Sequence, residues 1–100
     1  MAGIALKVHD LDNVATIFAE GISDGQTVEV RDKRGNREMV TVSGMIPYGH
    51  KIAVAPIQKG GLIRKYGEEI GTATRDIAQG EYVHVHNLDS MRGRGDWGGE

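Results

Sequence analysis

The sequence contains no cysteine. That excludes a disulfide framework, a thiolate nucleophile and a thiolate metal site. Prolines number two, and aromatic residues make up only 5% of the chain. A nucleic-acid binder normally presents a basic stripe interleaved with stacking aromatics, and a formal net charge of −2 supplies no such stripe. No segment approaches the roughly 20 consecutive apolar residues of a membrane span. Met1 to Val8 carries one positive charge and no long apolar run, unlike a secretory signal. These absences describe a soluble cytoplasmic protein that engages neither nucleic acid nor membrane. At 100 residues the chain is one small domain. A domain of this size buries roughly 60–70% of its unfolded surface. That leaves room for a modest core but not for a deep, closed active site as well.

What the chain has in quantity is glycine, fifteen residues of it, many placed just before strand-like runs. Long helices do not survive that spacing, whereas short strands joined by tight turns do. Ile4 to His9 is predicted as a first strand. Asp12 to Glu20 is predicted as a short helix with its body at Asn13–Ala19: Asp12 can cap it, Val14, Ile17 and Phe18 fall at i, i+3 and i+4, and Gly21 is placed to end it. Val28 and Val30 alternate, as do Val40 and Val42, and Lys33-Arg34-Gly35-Asn36 between them reads as a hairpin turn.

A weak internal repeat, Ile-x-x-Gly-x-x-Val/Ile, occurs as Ile22…Gly25…Val28, Ile57…Gly60…Ile63 and Ile77…Gly80…Val83. As a structural unit it is a buried Ile, a Gly in a backbone conformation hostile to other residues, and a departing strand whose next apolar residue points inward. The alternative is chance recurrence of a short pattern. Composition divides the chain into a domain at residues 1–88 and a flexible, glycine-rich tail at 89–100. Met91, Arg92, Arg94 and Trp97 in that tail are residue types that dock on partners.

The histidines are the candidate chemistry. On a continuous strand Tyr82, His84 and His86 share one face while Val83 and Val85 take the other. Two imidazoles side by side can begin a divalent-metal or anion site; the plain alternative is two solvated side chains on an outer sheet face. His9, Asp12 and Asn13 lie at the expected helix N-terminus, which suits a carboxylate substrate, or they cap the helix and nothing more. His50-Lys51 follows Gly49 in a turn and could set a cation near an acidic ligand, or be an exposed turn pair. Ser23, Ser43 and Ser90 sit in no nucleophile-elbow context, there is no phosphate loop, and the carboxylates form no evident acid/base pair.

Four ordered runs carry a resemblance: His9 to Ala15, Gly49 to Ala53, Lys65 to Thr74, and Asp76 to Asn87. Together they resemble the N-terminal SAF domain of altronate and galactarate dehydratases, a β-clip fold also found in sialic acid synthases with antifreeze-like domains. The resemblance implies a mainly β, single SAF-like domain. It further implies the small subunit of a two-subunit sugar-acid dehydratase, inactive alone, with a large dehydratase subunit as partner and a homo-oligomer compatible. The implied chemistry is a β-elimination of water to a 2-keto-3-deoxy acid, with divalent iron or manganese stabilising the enediolate. It places His9, Asp12, Asn13, His50 and Lys51 toward substrate and His84 and His86 toward metal. The small subunit of a sulfolactate sulfo-lyase looks similar, and a non-catalytic ligand-binding or assembly module is a further alternative, because fold alone does not settle function.

Overall fold

A computed structural model of the chain describes residues 3–90. It contains nine strands: β1 (Gly3–Lys7), β2 (Val14–Ile17), β3 (Thr27–Asp32), β4 (Arg37–Thr41), β5 (Lys51–Ala53), β6 (Leu62–Lys65), β7 (Glu68–Ala73), β8 (Tyr82–Val83) and β9 (Leu88–Ser90). Six of them form one sheet in the order β4-β3-β1-β2-β5-β8, and three form a second in the order β6-β7-β9. All pairings are antiparallel except β1 with β3.

The mainly-β expectation holds, and so does the predicted hairpin. Val28 faces Val40 across the β3–β4 ladder. The turn between these strands is held by Asp32, whose carboxylate accepts from the backbone N–H groups of Arg34 and Asn36 and from the Asn36 side chain.

The predicted helix at Asn13–Ala19 is corrected: Val14–Ile17 is strand β2, paired with β1 on one side and β5 on the other. Val-Ala-Thr-Ile fits a helical and an alternating pattern equally well over so short a run. Burial on both faces decides between them, since β-branched residues pack well in a doubly covered strand. Ala15 and Ile17 enter one core and Val14 another, while Phe18 is left at the surface against Tyr48 in an edge-to-face contact.

The Ile/Gly repeat is structural. Gly25, Gly60 and Gly80 have φ of +85°, +84° and +95°, and their flanking Ile and Val residues are buried. A fourth copy, Ile46…Gly49…Ile52, obeys the same spacing, with Gly49 at +83°. In every copy the chain closes a four-residue turn, and the glycine N–H donates to a carbonyl of another segment at 2.8 Å: Val42, Ile17, Ala73 and Ala53 in chain order. The copies associate in pairs through antiparallel bridges, Ile22 with Ile46 and Ile57 with Ile77.

Two cores result. The first gathers Ala5, Ala15, Ile17, Ile22, Val28, Val30, Val40, Val42, Ile46, Ile52 and Val54. The second gathers Val14, Ala53, Ile57, Ile63, Ala73, Ile77, Val83 and Leu88. Strands β2, β5 and β8 carry residues of both, so they form the wall between them. Asp89 and Ser90, in β9, pair with Thr72 and Gly71. The docking tail expected at Asp89–Glu100 lies, from Met91 on, outside the described residues.

Candidate functional site

At one edge of the large sheet the Gly49 turn delivers His50 and Lys51 beside β8. Ile52 pairs with Tyr82 and Lys51 with Val83, so the ladder sets His50 next to the Tyr82 side chain. Tyr82 Oη and His50 Nδ1 share a hydrogen bond of 2.8 Å. The Tyr82 ring stacks on His84 with centroids 5.5 Å apart and 9° between planes, and lies 5.3 Å from His86. His50 and His84 meet edge-on at 4.9 Å. Four rings separated by up to 36 positions in sequence thus form one cluster.

The continuous strand predicted through His86 is corrected, because β8 ends at Val83. Asn87 ends it. This fully buried side chain accepts from the His84 backbone N–H through Oδ1 (2.9 Å) and donates through Nδ2 to the Tyr82 carbonyl (2.8 Å). Its own N–H closes the turn on the His84 carbonyl. Val85 consequently points outward, 75% exposed, instead of into the core. His84 and His86 flank Tyr82 by way of a turn, not by strand alternation.

Burial, followed by the neighbouring His50, Lys51 and His86, holds the His84 imidazole below its ordinary value, which favours the neutral form. Burial and the charge of Lys65 likewise lower Lys51. Lys51, Lys65, Tyr66, Glu68 and Ile70 line a shallow cavity of about 230 Å³. Two lysines and a glutamate therefore meet at this cavity, and the charge of Lys51 reaches His84.

The three other candidate residues lie around the β6–β7 hairpin. Its two-residue loop, Tyr66-Gly67, has φ of +58° and +76°, the geometry of a tight hairpin turn and an unusual one for tyrosine. Asp12, only 4% exposed, holds it: the carboxylate accepts from the backbone N–H groups of Tyr66 (3.0 Å), Gly67 (2.7 Å) and His9 (3.0 Å). Asp12 does cap free amides, but those of a turn in place of the expected helix. Asn13 extends the same clamp, donating to the Leu62 carbonyl and accepting from the Arg64 N–H, both at 2.8 Å. The His9 ring sits directly over Gly67, and its Nδ1 accepts from the Leu11 N–H. The polar groups of Asp12 and Asn13 are thus engaged in joining the two sheets, whereas His50, His84 and His86 gather around Tyr82 and Lys51 lines the cavity.

The chemistry of the ring cluster suits a divalent ion only in part. Imidazoles are good donors, yet among the described residues no three His, Asp or Glu side chains converge closely enough to hold one. An ion at His84 and His86 needs further donors from outside these residues.

Lys65 was not among the sequence candidates, nor was Asn87. A lysine after an apolar strand has no distinguishing pattern, and nothing local marks Asn87 as buried. The link from His50 to Tyr82 depends on pairing between strands 30 positions apart.

The comparisons with known proteins agree with this architecture. Residues 4–91 match the family model for the altronate/galactarate dehydratase SAF domain. The altronate dehydratase of Escherichia coli (strain K12) is 42% identical over 82 residues, which cover 82% of this chain and 15% of that protein. The (2R)-sulfolactate sulfo-lyase subunit alpha of Chromohalobacter salexigens is 36% identical over 92 residues, 89% of this chain and 97% of that subunit. The galactarate dehydratase (L-threo-forming) of Escherichia coli (strain K12) is 38% identical over 78 residues, 78% of this chain and 14% of that protein. The chain thus spans about a seventh of the dehydratases it matches and nearly all of the sulfo-lyase alpha subunit. Related throughout to lyase chains, it belongs to the SAF-domain family of the altronate and galactarate dehydratases.

Proposed function

We propose that this chain is the small subunit of a two-subunit lyase acting on an anionic 2-hydroxy acid, and that its site is completed by a large partner subunit. One observation carries this: an imidazole–phenol cluster is gathered at the edge of the sheet, and among the described residues no cavity closes around it. Proton transfer and charge stabilisation need a water-poor enclosure, so a second surface must cover the cluster. The coverage of a subunit alpha at 97% supports a separate small subunit. It also favours a sulfo-lyase over a hydro-lyase. The hydro-lyase stays as the second reading on the strength of 42% identity to an altronate dehydratase.

Both readings share one elimination. A base takes the proton from C2, its electron pair becomes the C2–C3 double bond, and the group on C3 leaves with the C3 bonding pair. From sulfolactate the leaving group is sulfite and the enol product tautomerises to pyruvate; from a sugar acid it is water, and the product is a 2-keto-3-deoxy acid. The His50–Tyr82 pair is suited to hold a proton at the phenolic oxygen, and a neutral His84 offers its one lone pair either to a proton or to a metal ion. Lys51 compensates the substrate's negative charge. A divalent iron or manganese ion held by His84 and His86 with donors of the large subunit would supply Lewis-acid stabilisation of the enediolate.

The test is reconstitution with the large subunit, followed by assays for sulfite from (2R)-sulfolactate and for 2-keto-3-deoxy acid from altronate and galactarate. Sulfite release by the complex, and none by the chain alone, is expected. Keto-acid formation from altronate or galactarate instead would transfer the assignment to the hydro-lyase. An assembled complex inert toward all three would remove the catalytic reading in favour of a binding module.

A further inference from the structure

We propose that Lys51 on β5 and Lys65 on β6 form a subsite for a sulfonate head group, a role that rests on the lyase reading above and narrows its substrate to doubly charged hydroxy acids. The two lysines come from different sheets and line one cavity with Tyr66, Glu68 and Ile70. Both are half-buried, and among the described residues neither makes an ion pair; every salt bridge found involves an arginine. Glu68, opposite Lys65 in the hairpin, lines the same cavity without pairing to either lysine. Lys65 Nζ instead lies 4.9 Å from the Tyr66 ring centroid, a placement that the Asp12-held turn fixes.

Thr16 stands directly across the β2–β5 ladder from Lys51, so its backbone amide reports on this wall of the cavity. Two like charges at one cavity repel, and that cost falls if an anion seats between the ammonium groups. The cationic lining is two ammonium groups with no guanidinium fork among them, which suits the three oxygens of a tetrahedral sulfonate better than a planar carboxylate.

The experiment is an amide NMR titration of the full chain with sodium sulfate, methanesulfonate and acetate, each against sodium chloride at matched ionic strength. Saturable shifts concentrated at Thr16, Lys51, Lys65 and Tyr66 are expected with sulfate and methanesulfonate, and weaker ones with acetate. Lys65→Met should weaken sulfate binding about tenfold, and Glu68→Gln should strengthen it, since each changes one charge at the cavity. Shifts that scatter over the surface, track ionic strength and persist in Lys65→Met would overturn the subsite. Acetate binding tighter than methanesulfonate would overturn the sulfonate assignment. In the reconstituted complex Lys65→Met should raise KM for sulfolactate with little change in kcat, and an unchanged KM would count against it. Sulfate binding by the chain does not require an active complex, so a complex without turnover would refute the lyase reading separately.

Discussion

Gly80 and Gly25 occupy the same place in two copies of one turn, and the structure separates the costs of replacing them. Both have positive φ, +95° and +85°. An alanine at either position bears about 1–2 kcal/mol for a left-handed backbone. A stiffer unfolded chain offsets about 0.4–1 kcal/mol of this. At Gly25 nothing lies within 4 Å of the added Cβ, so Gly25→Ala should cost about 1 kcal/mol in all. At Gly80 the added Cβ would stand 2.0 Å from the Thr41 carbonyl oxygen and 3.1 Å from its carbon. A backbone carbonyl cannot rotate aside. The turn must retreat from β4, straining the bonds from Ser43 N–H to the Gly80 carbonyl and from Gly80 N–H to the Ala53 carbonyl. Overpacking of this kind adds about 1–3 kcal/mol, and the two weakened bonds bring the total to about 3–5 kcal/mol. In a domain of this size that lowers the melting temperature by about 15–30 °C, against about 4–8 °C for Gly25→Ala. Urea denaturation followed by circular dichroism, with scanning calorimetry alongside, measures both. Equal losses within about 0.5 kcal/mol, the ordinary scatter of surface changes, would refute the steric account and leave only the φ term.

Asp12→Ala removes the acceptor for three backbone amides and should cost about 2–3 kcal/mol by urea denaturation, since bonds to a charged acceptor are the stronger kind; Asp12→Asn should recover less than half of it, because one acceptor oxygen becomes a donor. Histidine ring NMR on chelator-treated protein should find His84 titrating below its ordinary 6.5, and Lys51→Met should raise that midpoint by removing one of its causes. The unfolded chain takes up this proton at a higher pH than the fold does, so the His84 contribution to stability is present above about 6.5 and is lost as pH falls through the lower folded value. A His84 midpoint at or above the ordinary value would contradict both statements.

The turns were the most legible part of the fold, because a glycine forced to positive φ and an isoleucine forced inward leave a fixed spacing in the chain. That spacing also marks Ile46…Gly49…Ile52, the copy that carries His50. The β2 segment was less legible: Val14, Ile17 and Phe18 make a helical stripe and Ala15 with Ile17 an alternating one, and only the flanking strands β1 and β5 choose between them. For the site, histidine positions could be read directly, but which rings meet depends on strands β5 and β8 pairing across a turn and a whole hairpin. Asn87 shows the limit most plainly. Its amide substitutes for ladder bonds at the end of β8, and that role turns Val85 outward and swings His86 back to Tyr82.

The two cores are also ordered along the chain. Every residue of the first lies between Ala5 and Val54, whereas the second draws on Ala53 to Leu88 with Val14 as its sole early member. During synthesis the first core can close while the second is still being made. Until then β2 and β5 present Val14 and Ala53 on an uncovered face, and the Asp12 carboxylate waits for the amides of a hairpin not yet translated. The last strands to emerge bring Tyr82, His84 and His86 beside His50, so the nascent chain holds an apolar wall before it holds the ring cluster, and the uncovered face is an aggregation hazard during that interval.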